Sequence, residues 1–310
     1  MENQLTRRTL IKKGAALSLG LPVLGLSSAF QNIISKSKYM DEIGIQLYTV
    51  RDQLAEDPRK TLESIAQLGY KQVELMDIAS ATDLMPILKD LGLMVRSSFF
   101  LWTHVTGRWD LAEKANLPKQ PKGYNFNSIL DSAEELGLRH LVFGYMLPAE
   151  RSTMDDYKKV TEKLNNAGEL CKKRGIQLCY HNHAFEFGPI DGAVPYEYLI
   201  ENFDKELVKF ELDVFWSSLA GYDPVKLMNR MDGRIAQLHL KDKLKGTPVI
   251  FAEQEVPKEA FKELGNGVVD LKTVVKKAET IGVQDCHVEQ DHSPDPIASI
   301  GQSISYLKGI

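Results

Sequence analysis

From residue 42 onward, the pattern of hydrophobic and polar residues alternates between the period of a strand and that of a helix. Strand periods predict eight short strands, at residues 43–48, 71–76, 94–100, 140–146, 177–183, 208–215, 235–241 and 285–290. Helical periods follow each of them, at residues 57–68, 83–91, 126–136, 155–174, 195–203, 223–231, 270–281 and 296–308. Eight successive βα units predict a single-domain α/β protein with the (β/α)₈ (TIM) barrel fold, over residues 42–310.

Glycine residues support these helix ends. Five predicted helices are followed by a glycine just before the next strand, as is typical of helix C-caps in short αβ loops: Gly69, Gly92, Gly137, Gly175 and Gly282. A doubly wound open sheet is the alternative, but no glycine-rich nucleotide loop opens any of the helices. The two long connections, at residues 101–124 and 243–268, follow strands and are expected on the catalytic face of a barrel.

The N-terminal segment has a different composition. Arg7 and Arg8 precede an apolar run at residues 14–26 and small residues at 27–29, which predicts a twin-arginine-type signal peptide at residues 1–29 and a linker at 30–41. The run is shorter than the ~20 apolar residues that cross a bilayer, so no membrane anchor is expected in the mature form. An amphipathic N-terminal helix is the alternative. The signal predicts a periplasmic, exported protein.

Charge and cysteine content restrict the partners. The chain has 310 residues and a formal net charge of -4, and loss of residues 1–29 would remove four basic groups and one acidic group, leaving -7. Such a charge argues against nucleic acid as a partner. A homo-oligomer is left open. Three cysteines without regular spacing, Cys171, Cys179 and Cys286, predict buried packing residues and no disulfide framework.

The predicted strands carry polar residues on the face that points into the barrel. Successive side chains of a strand point to opposite faces, so each strand separates into two sets. In the seventh strand Ala236, Leu238 and Leu240 are expected to face the helices. The residues expected to face inward are Gln46, Tyr48, Gln72, Glu74, Cys179, His181, His183, Glu211, Asp213, Phe215, Gln237, His239, Lys241, Asp285, His287 and Glu289.

Charged groups in this inward set predict a metal site. A barrel interior is ordinarily filled by branched apolar side chains, and isolated buried charges cost several kcal/mol each. Carboxylates that converge with a histidine suit Mn²⁺, Mg²⁺, Co²⁺ or Zn²⁺. The alternative is a purely structural ion-pair network, for example Lys241 with Glu211.

Several motifs resemble those of the xylose-isomerase-like barrels, also called sugar phosphate isomerases/epimerases. Residues 180–187 resemble that family's YHNHDFEF motif, with Ala184 in place of the usual aspartate. The other matching segments are Glu211-Leu212-Asp213 with Trp216 and residues 221–224, His239-Leu240-Lys241-Asp242, residues 265–267, and Val288-Glu289-Gln290-Asp291. The resemblance covers roughly residues 42–308 and places the motifs in the expected order.

The resemblance implies one divalent metal, with Mn²⁺ first among the candidates, held by Glu186, Asp213, His239 and Glu289. The last three also fit the inward set of the strands. Glu186 lies just past the fifth strand and rests on the motif alone, so His181 or His183 is an alternative ligand.

The resemblance also implies a sugar isomerase or epimerase that removes a proton next to a carbonyl group through a metal-stabilised enediolate. Glu186 and Glu289 are the implied proton-transfer pair, and His183 and Lys241 are alternative acid–base groups. A 3-keto-glycoside lyase or hydrolase that uses the same proton chemistry is the alternative function. A sugar-binding protein without catalytic activity is a further one.

The substrate is expected to be a small sugar. Trp102, His104 and Arg108 lie on the long connection after the third strand, where a tryptophan can stack on a sugar ring or simply anchor the loop. Glu74, His181 and Trp216 are also assigned to substrate binding. Because sugar phosphates are cytoplasmic metabolites, export favours a free sugar, a glycoside or a 3-keto derivative.

Overall fold

The computed structural model describes residues 37–117 and 123–310. The predicted signal peptide at 1–29, and residues 30–36 of the predicted linker, lie outside the described residues, so export stays a prediction. Within the described linker residues, Lys38–Asp41 form a 3₁₀ helix, and buried Tyr39 donates a hydrogen bond from Oη to Val283 O at 2.7 Å. None of the helices in the described ranges is long and apolar enough to cross a membrane.

Eight parallel strands close into a barrel in which each strand pairs with its neighbours in sequence and the last pairs with the first. This arrangement confirms the predicted single-domain (β/α)₈ barrel. The barrel strands are β1 Gly44–Gln46, β2 Gln72–Leu75, β3 Met94–Phe100, β4 His140–Phe143, β5 Gln177–His181, β6 Val208–Asp213, β7 Ile235–Leu240 and β8 Asp285–Val288.

Eight helices surround the barrel, and their bounds agree with the predicted ones to within two residues. They are α1 Pro58–Leu68, α2 Ala81–Asp90, α3 Phe126–Glu135, α4 Met154–Lys173, α5 Pro195–Asn202, α6 Pro224–Arg230, α7 Leu271–Thr280 and α8 Pro296–Leu307. The connections contain further short α-helices at Arg51–Glu56, Thr103–Thr106, Trp109–Lys114 and Val214–Leu219, and a two-residue strand pair, Asp242–Lys243 with Phe261–Lys262. The five predicted capping glycines all have φ between 66° and 104°, as the left-handed C-cap requires.

Strands β5 and β6 are shorter than predicted. Strand β6 ends at Asp213 because its side chain caps the following helix, where Oδ1 accepts the N–H groups of Phe215 and Trp216 at 2.9 and 3.0 Å. Phe215 was expected to face the barrel interior, and this is wrong: the residue is helical and stacks on Phe261, with ring centroids 4.4 Å apart.

A bulge changes the direction of one residue in β7. Phe210 pairs with Ile235, but the next residue of β6 pairs with Gln237, so Ala236 is an extra residue on β7. Ala236 was expected to face the helices. Instead it clusters with Val142 and Cys179, a group separate from the apolar core.

The main apolar core lies between the sheet and the helices, while the barrel interior is largely polar. Leu178, Leu212, Leu238 and Val288 are fully or almost fully buried in this core, as the strand alternation predicts. All three cysteines are buried, which confirms their assignment as packing residues. The interior of the barrel is therefore left for the groups that carry the chemistry.

Candidate metal centre

Four side chains from four adjacent strand ends converge at the C-terminal end of the barrel. His181 ends β5, Asp213 ends β6, His239 is the fifth residue of β7, and Glu289 follows β8. One ligand atom from each lies within 4.8 Å of all the others, and all four residues are buried. We call this set the upper group.

Distances within the upper group are those of atoms that face a common centre. His239 Nδ1 lies 2.8 Å from Glu289 Oε2 and 3.1 Å from His181 Nε2. His181 Nε2 lies 3.5 Å from Asp213 Oδ2. Two imidazoles and two carboxylates at this separation are a donor set that suits Mn²⁺, Co²⁺ or Zn²⁺.

Asp213 has one oxygen fixed and the other available. Its Oδ1 is engaged by the N-terminus of the helix that begins at Val214. Its Oδ2 is buried and accepts no hydrogen bond from the described residues. The same oxygen lies 3.0 Å from Lys241 Nζ and 3.5 Å from His181 Nε2, so it faces a cation and a second ligand-type atom, and no backbone N–H group occupies it. An ionised carboxylate oxygen in this position fits a metal ligand.

Lys241 supplies a positive charge beside the upper group. Its Nζ lies 2.6 Å from Asp291 Oδ1, 2.7 Å from Glu289 Oε2 and 3.0 Å from Asp213 Oδ2. Burial alone would lower the pKa of Lys241, but these three carboxylates raise it well above its ordinary value. The suggested structural pair of Lys241 with Glu211 is not among the ion pairs within the described residues.

Three of the four members of the upper group have pKa values shifted toward the form that binds a metal. Burial would raise the pKa of Glu289, but Lys241 and His239 together lower it to about 2. Burial likewise opposes ionisation of Asp213, and Lys241 with His181 holds its pKa well below the usual range. The pKa of His181 is lowered, mainly by burial. Two carboxylates are thus ionised and one imidazole is neutral, which is the form in which each binds a metal. Burial would lower the pKa of His239, but Glu211, Glu289 and Glu74 raise it well above its ordinary value, so this ring must lose a proton before it can bind a metal through Nδ1.

His239 is oriented by a carboxylate on the far side of its ring. Its Nε2 lies 2.6 Å from Glu74 Oε2, while its Nδ1 faces the upper group. Glu74 also accepts hydrogen bonds from Gln46 and Ser97, which fix its position. A carboxylate behind a ligand histidine sets the direction of the ring and strengthens it as a ligand.

Glu186 is not part of the upper group. It lies in the 3₁₀ helix Phe185–Phe187, where Oε1 accepts from Tyr180 Oη and Oε2 accepts from the His183 N–H, both at 2.9 Å. Because β5 ends at His181, the chain turns before it reaches Glu186, and its two carboxylate oxygens contact a tyrosine hydroxyl and a backbone N–H group instead of the upper group. The fourth member of the upper group, next to Asp213, His239 and Glu289, is His181, the alternative ligand. The assignment of Glu186 as ligand and proton-transfer group thus lacks a geometric basis here.

A cavity of about 570 Å³ opens above the upper group. Its floor is polar and its walls are largely aromatic and aliphatic. It is lined by Gln46, Tyr48, Met76, Asp77, Phe99, Phe100, Leu101, Trp102, Leu117, Gly144, Tyr145, His181, His183, Trp216, Lys241, Glu253, Val256, Phe261, Glu289, Asp291 and His292. A volume of this size is in the range of small-molecule sites.

Some of the predicted substrate residues line this cavity and others do not. Trp102, His181 and Trp216 line it, together with the acid–base candidates His183, Lys241 and Glu289. The other three residues predicted to bind substrate lie elsewhere.

Glu74, His104 and Arg108 are not among the residues of the cavity wall. Glu74 is one layer deeper, below His239. His104 packs edge-on against Trp109, with ring centroids 4.8 Å apart. Arg108 forms an ion pair with Asp110, 2.9 Å away.

Several functional residues escape sequence analysis. Asp291 contacts Lys241, and its spacing of two from Glu289 was the available signal. Tyr145 and Phe261 line the cavity without any motif or period to identify them.

Asp242 directly follows Lys241 and anchors the loop that carries Phe261. Its two buried carboxylate oxygens accept four backbone N–H groups at 2.8 to 3.0 Å, those of Lys243, Gly265, Gly267 and Val269. The position of one cavity wall therefore depends on a residue adjacent to the site.

Comparisons with known proteins agree with the barrel fold. A family model described as a xylose isomerase-like TIM barrel matches residues 62–310. An inosose dehydratase of Geobacillus kaustophilus (strain HTA426) is 25% identical over 199 residues, which are 59% of this chain and 61% of that protein. The match thus spans about three fifths of the length of this relative.

Solved structures share the fold. A sugar phosphate isomerase/epimerase from Parabacteroides distasonis ATCC 8503 has a TM-score of 0.66 and 24% identity, and the match covers 90% of this chain and 97% of that one. The structure of an IOLI protein with a bound zinc atom has a TM-score of 0.60 and 14% identity, with coverage of 86% and 95%. At these identities the likeness concerns the fold.

Proposed function

The chain belongs to the xylose isomerase-like TIM barrel family, and on this premise we propose that it is a divalent-metal-dependent enzyme that removes a proton next to the carbonyl group of a sugar derivative. The observation that carries the proposal is the upper group of His181, Asp213, His239 and Glu289, two of whose members, His181 and Glu289, line the cavity. We take Mn²⁺, Co²⁺ or Zn²⁺ as the metal, because two imidazoles favour these ions over Mg²⁺. When bound, such an ion polarises a carbonyl oxygen and lowers the pKa of the adjacent C–H.

Residues of the cavity wall provide the proton transfer. His183 lines the cavity, and burial lowers its pKa well below the ordinary value, so its imidazole is neutral and able to accept a proton. Lys241 stays cationic and stabilises negative charge that develops on the substrate oxygen. Trp102 and Trp216 offer aromatic faces to the apolar side of a sugar ring.

The position of Glu186, outside the upper group and the cavity wall, favours an elimination over an epimerisation. Inversion of a carbon centre needs one proton-transfer group on each face, and Glu186 with Glu289 was the implied pair. With Glu186 turned to the backbone, β-elimination fits better, because one group can take the proton from carbon and return it to the departing oxygen. The C–H and the β C–O bonds break, a C=C bond forms, and water or an alcohol leaves. The named reaction of the inosose dehydratase relative is of the same kind.

An isomerase or epimerase is the second candidate. His183 and Glu289 both line the cavity and follow different strands, β5 and β8, so two groups are present that could serve the two faces of a substrate. In that case Glu289 takes the part that the resemblance assigns to it, and His183 replaces Glu186.

The substrate we propose is a neutral keto sugar or 3-keto-glycoside. Among the described residues of the cavity wall, Lys241 is the one lysine or arginine, and three carboxylates already face it. A phosphate group would find little positive charge there. This agrees with the proposed export of the protein through residues 1–29, which N-terminal sequencing of the mature protein from a periplasmic fraction would test.

The experiment is proton NMR in D₂O with the metal-loaded protein and a panel of inososes, 3-keto-glycosides and free sugars. Release of water or an aglycone with an unsaturated keto sugar supports the elimination, whereas a deuterated epimer or isomer without elimination supports the second candidate. Asp213→Asn is expected to lose the metal of the upper group together with turnover, and His183→Gln to lose turnover by at least ~10²-fold while keeping that metal. Metal-loaded protein without turnover on any member of the panel would count against both functions.

A further inference from the structure

A second group of charged residues lies directly below the upper group, inside the barrel. It consists of Glu74 on β2, Glu211 on β6, His239 on β7 and His287 on β8. One ligand atom from each lies within 4.8 Å of the others, and none of the four has any exposed surface. We call this set the lower group. It does not line the cavity.

Two members of the lower group are buried with unused polar atoms. Both carboxylate oxygens of Glu211 and both ring nitrogens of His287 lack a hydrogen bond to any described residue. An unsatisfied buried polar atom costs about 1–3 kcal/mol, and more when charged. Four such atoms in one small volume are far more than packing explains, and all four are metal-ligand types.

The backbone is shaped to admit the His287 ring. Gly44 on β1 pairs with His287, and a Cβ at Gly44 would lie 2.3 Å from Cδ2 of that ring. Only a residue without a side chain therefore fits here. The barrel makes room for a polar ring that has no hydrogen bond, where an apolar residue would pack at lower cost.

Carboxyl groups outnumber protein cations around the two groups. Glu74, Glu211, Asp213 and Glu289 are buried, and Asp291 is largely buried beside them. Lys241 is the one lysine or arginine of the described residues that forms an ion pair with any of these five, and its contacts are with Asp213, Glu289 and Asp291. The two carboxyl groups of the lower group, Glu74 and Glu211, therefore have no lysine or arginine partner among the described residues.

His239 belongs to both groups through different atoms. Its Nδ1 faces Glu289 Oε2 at 2.8 Å, and its Nε2 lies 2.6 Å from Glu74 Oε2 and 3.3 Å from Glu211 Oε1. We propose that the lower group holds a second divalent transition cation, ligated by Glu74, Glu211, His287 and Nε2 of His239. With both ions bound, the His239 ring would be an imidazolate that contributes one nitrogen to each site, and its nitrogen-bound protons would pass to solvent. The hydrogen bond between Nε2 and Glu74 would then be replaced by shared coordination of the lower ion.

The lower site has the features of a structural ion. Four protein ligands and no contact with the cavity describe a closed site without a position for substrate. The ion would be enclosed as the barrel forms, and it would fix the ring that also serves the upper site. A protonated Glu211 in a metal-free hydrogen-bonding network is the competing arrangement.

Metal stoichiometry of the full chain tests the proposal. The protein is loaded with Zn²⁺, desalted, and its zinc measured per chain by mass spectrometry. We expect two zinc ions per chain in the wild type, one in His287→Gln and one in Asp213→Asn. Ser97→Ala is the matched control, because it removes a hydroxyl that donates to Glu74 without removing a ligand, and it should retain two.

The two proposals fail in different ways. One zinc per chain in the wild type, kept in His287→Gln and lost in Asp213→Asn, would overturn the lower site and leave the proposed function intact. If His287→Gln does not fold, the anomalous scattering of wild-type crystals at the zinc edge decides. Two peaks, one of them between Glu211 and His287, support the lower site, and a single peak in the upper group overturns it.

Discussion

Replacement of Glu186 by glutamine tests whether this residue acts in metal binding and catalysis, as the motif implies, or is a buried residue outside the site, as its contacts indicate. The carboxyl group is buried, accepts from Tyr180 Oη and the His183 N–H, and has no position on the cavity wall. A glutamine can keep both contacts, with its oxygen accepting from His183 and its amide donating to the Tyr180 hydroxyl. We therefore expect Glu186→Gln to keep its metal and most of its turnover.

The same substitution should change how stability depends on pH. Burial raises the pKa of Glu186 from its ordinary value of 4.5 to about 8, against the opposing effect of its hydrogen bonds and Arg151. Below pH 4.5 both the folded and the unfolded protein hold the proton. Between pH 4.5 and 8 the unfolded chain has lost the proton while the folded protein keeps it. Stability therefore falls as pH rises, by ~1.4 kcal/mol per pH unit, and levels off above pH 8.

The effect is large enough to measure. A shift from 4.5 to about 8 corresponds to a total of about 5 kcal/mol. Glutamine does not titrate, so the free energy of unfolding of Glu186→Gln relative to wild type should increase by this order between pH 5 and pH 8.5. Urea unfolding of both proteins, followed by circular dichroism at several pH values and without added metal, gives the difference directly.

A constant difference across that pH range would refute the reasoning about burial. It would mean that Glu186 is ionised in the folded protein, held so by Arg151 and the two hydrogen-bond donors. Loss of turnover with unchanged stability would refute the geometric argument instead, and would return Glu186 to the catalytic part that the motif suggests. The pH dependence of stability and the turnover thus test the two arguments separately.

Three further predictions follow from contacts near the site. Asp242→Asn should lower the free energy of unfolding, measured in urea, by roughly 3–5 kcal/mol, because an amide cannot accept from all four backbone N–H groups. Glu259→Gln changes an exposed residue of the same loop; it is the control and should have little effect. Gly267→Ala should lower the free energy of unfolding by about 2–3 kcal/mol, because its Cβ would lie 2.2 Å from Asp242 Oδ1. Gly301→Ala in helix α8 is the control: its Cβ would meet only the flexible side chain of Leu68 at 3.2 Å, so its free energy of unfolding should stay within ~1 kcal/mol of the wild-type value. Metal at ~1,000 times its Kd should stabilise the wild type by about 4 kcal/mol in thermal unfolding, and Asp213→Asn should lose the part of this shift that comes from the upper group.

The fold could be predicted almost completely from the sequence, because the barrel strands and helices have clean periods and most of the helices begin at a polar cap or end at a glycine. The errors lie where a side chain contact overrides the period. The apolar residues Val214 and Phe215 extend the strand pattern of β6, but the Asp213 side chain starts a helix there. Ala236 was misplaced because a bulge depends on pairing with the neighbouring strand, which a single strand does not encode.

The site could be predicted in part. Asp213, His239 and Glu289 follow from strand alternation, since each lies within or just beyond a regular strand. His181 and Glu186 were left as alternatives because the direction of a residue past a strand end is set by the turn, and only the structure gives the turn. Contacts such as those of Asp291 and Asp242 depend on loops whose path has no period.

The double use of Asp213 has a consequence for how relatives of this protein diverge. One oxygen of this aspartate starts a helix and the other faces the upper group, so selection for the fold alone would preserve it. A descendant that had abandoned its metal would therefore still carry an aspartate at this position. His181 and Glu289 form no hydrogen bond from their side chains to the backbone of the described residues. Their replacement, rather than that of Asp213, would mark a lineage in which the chemistry has been lost.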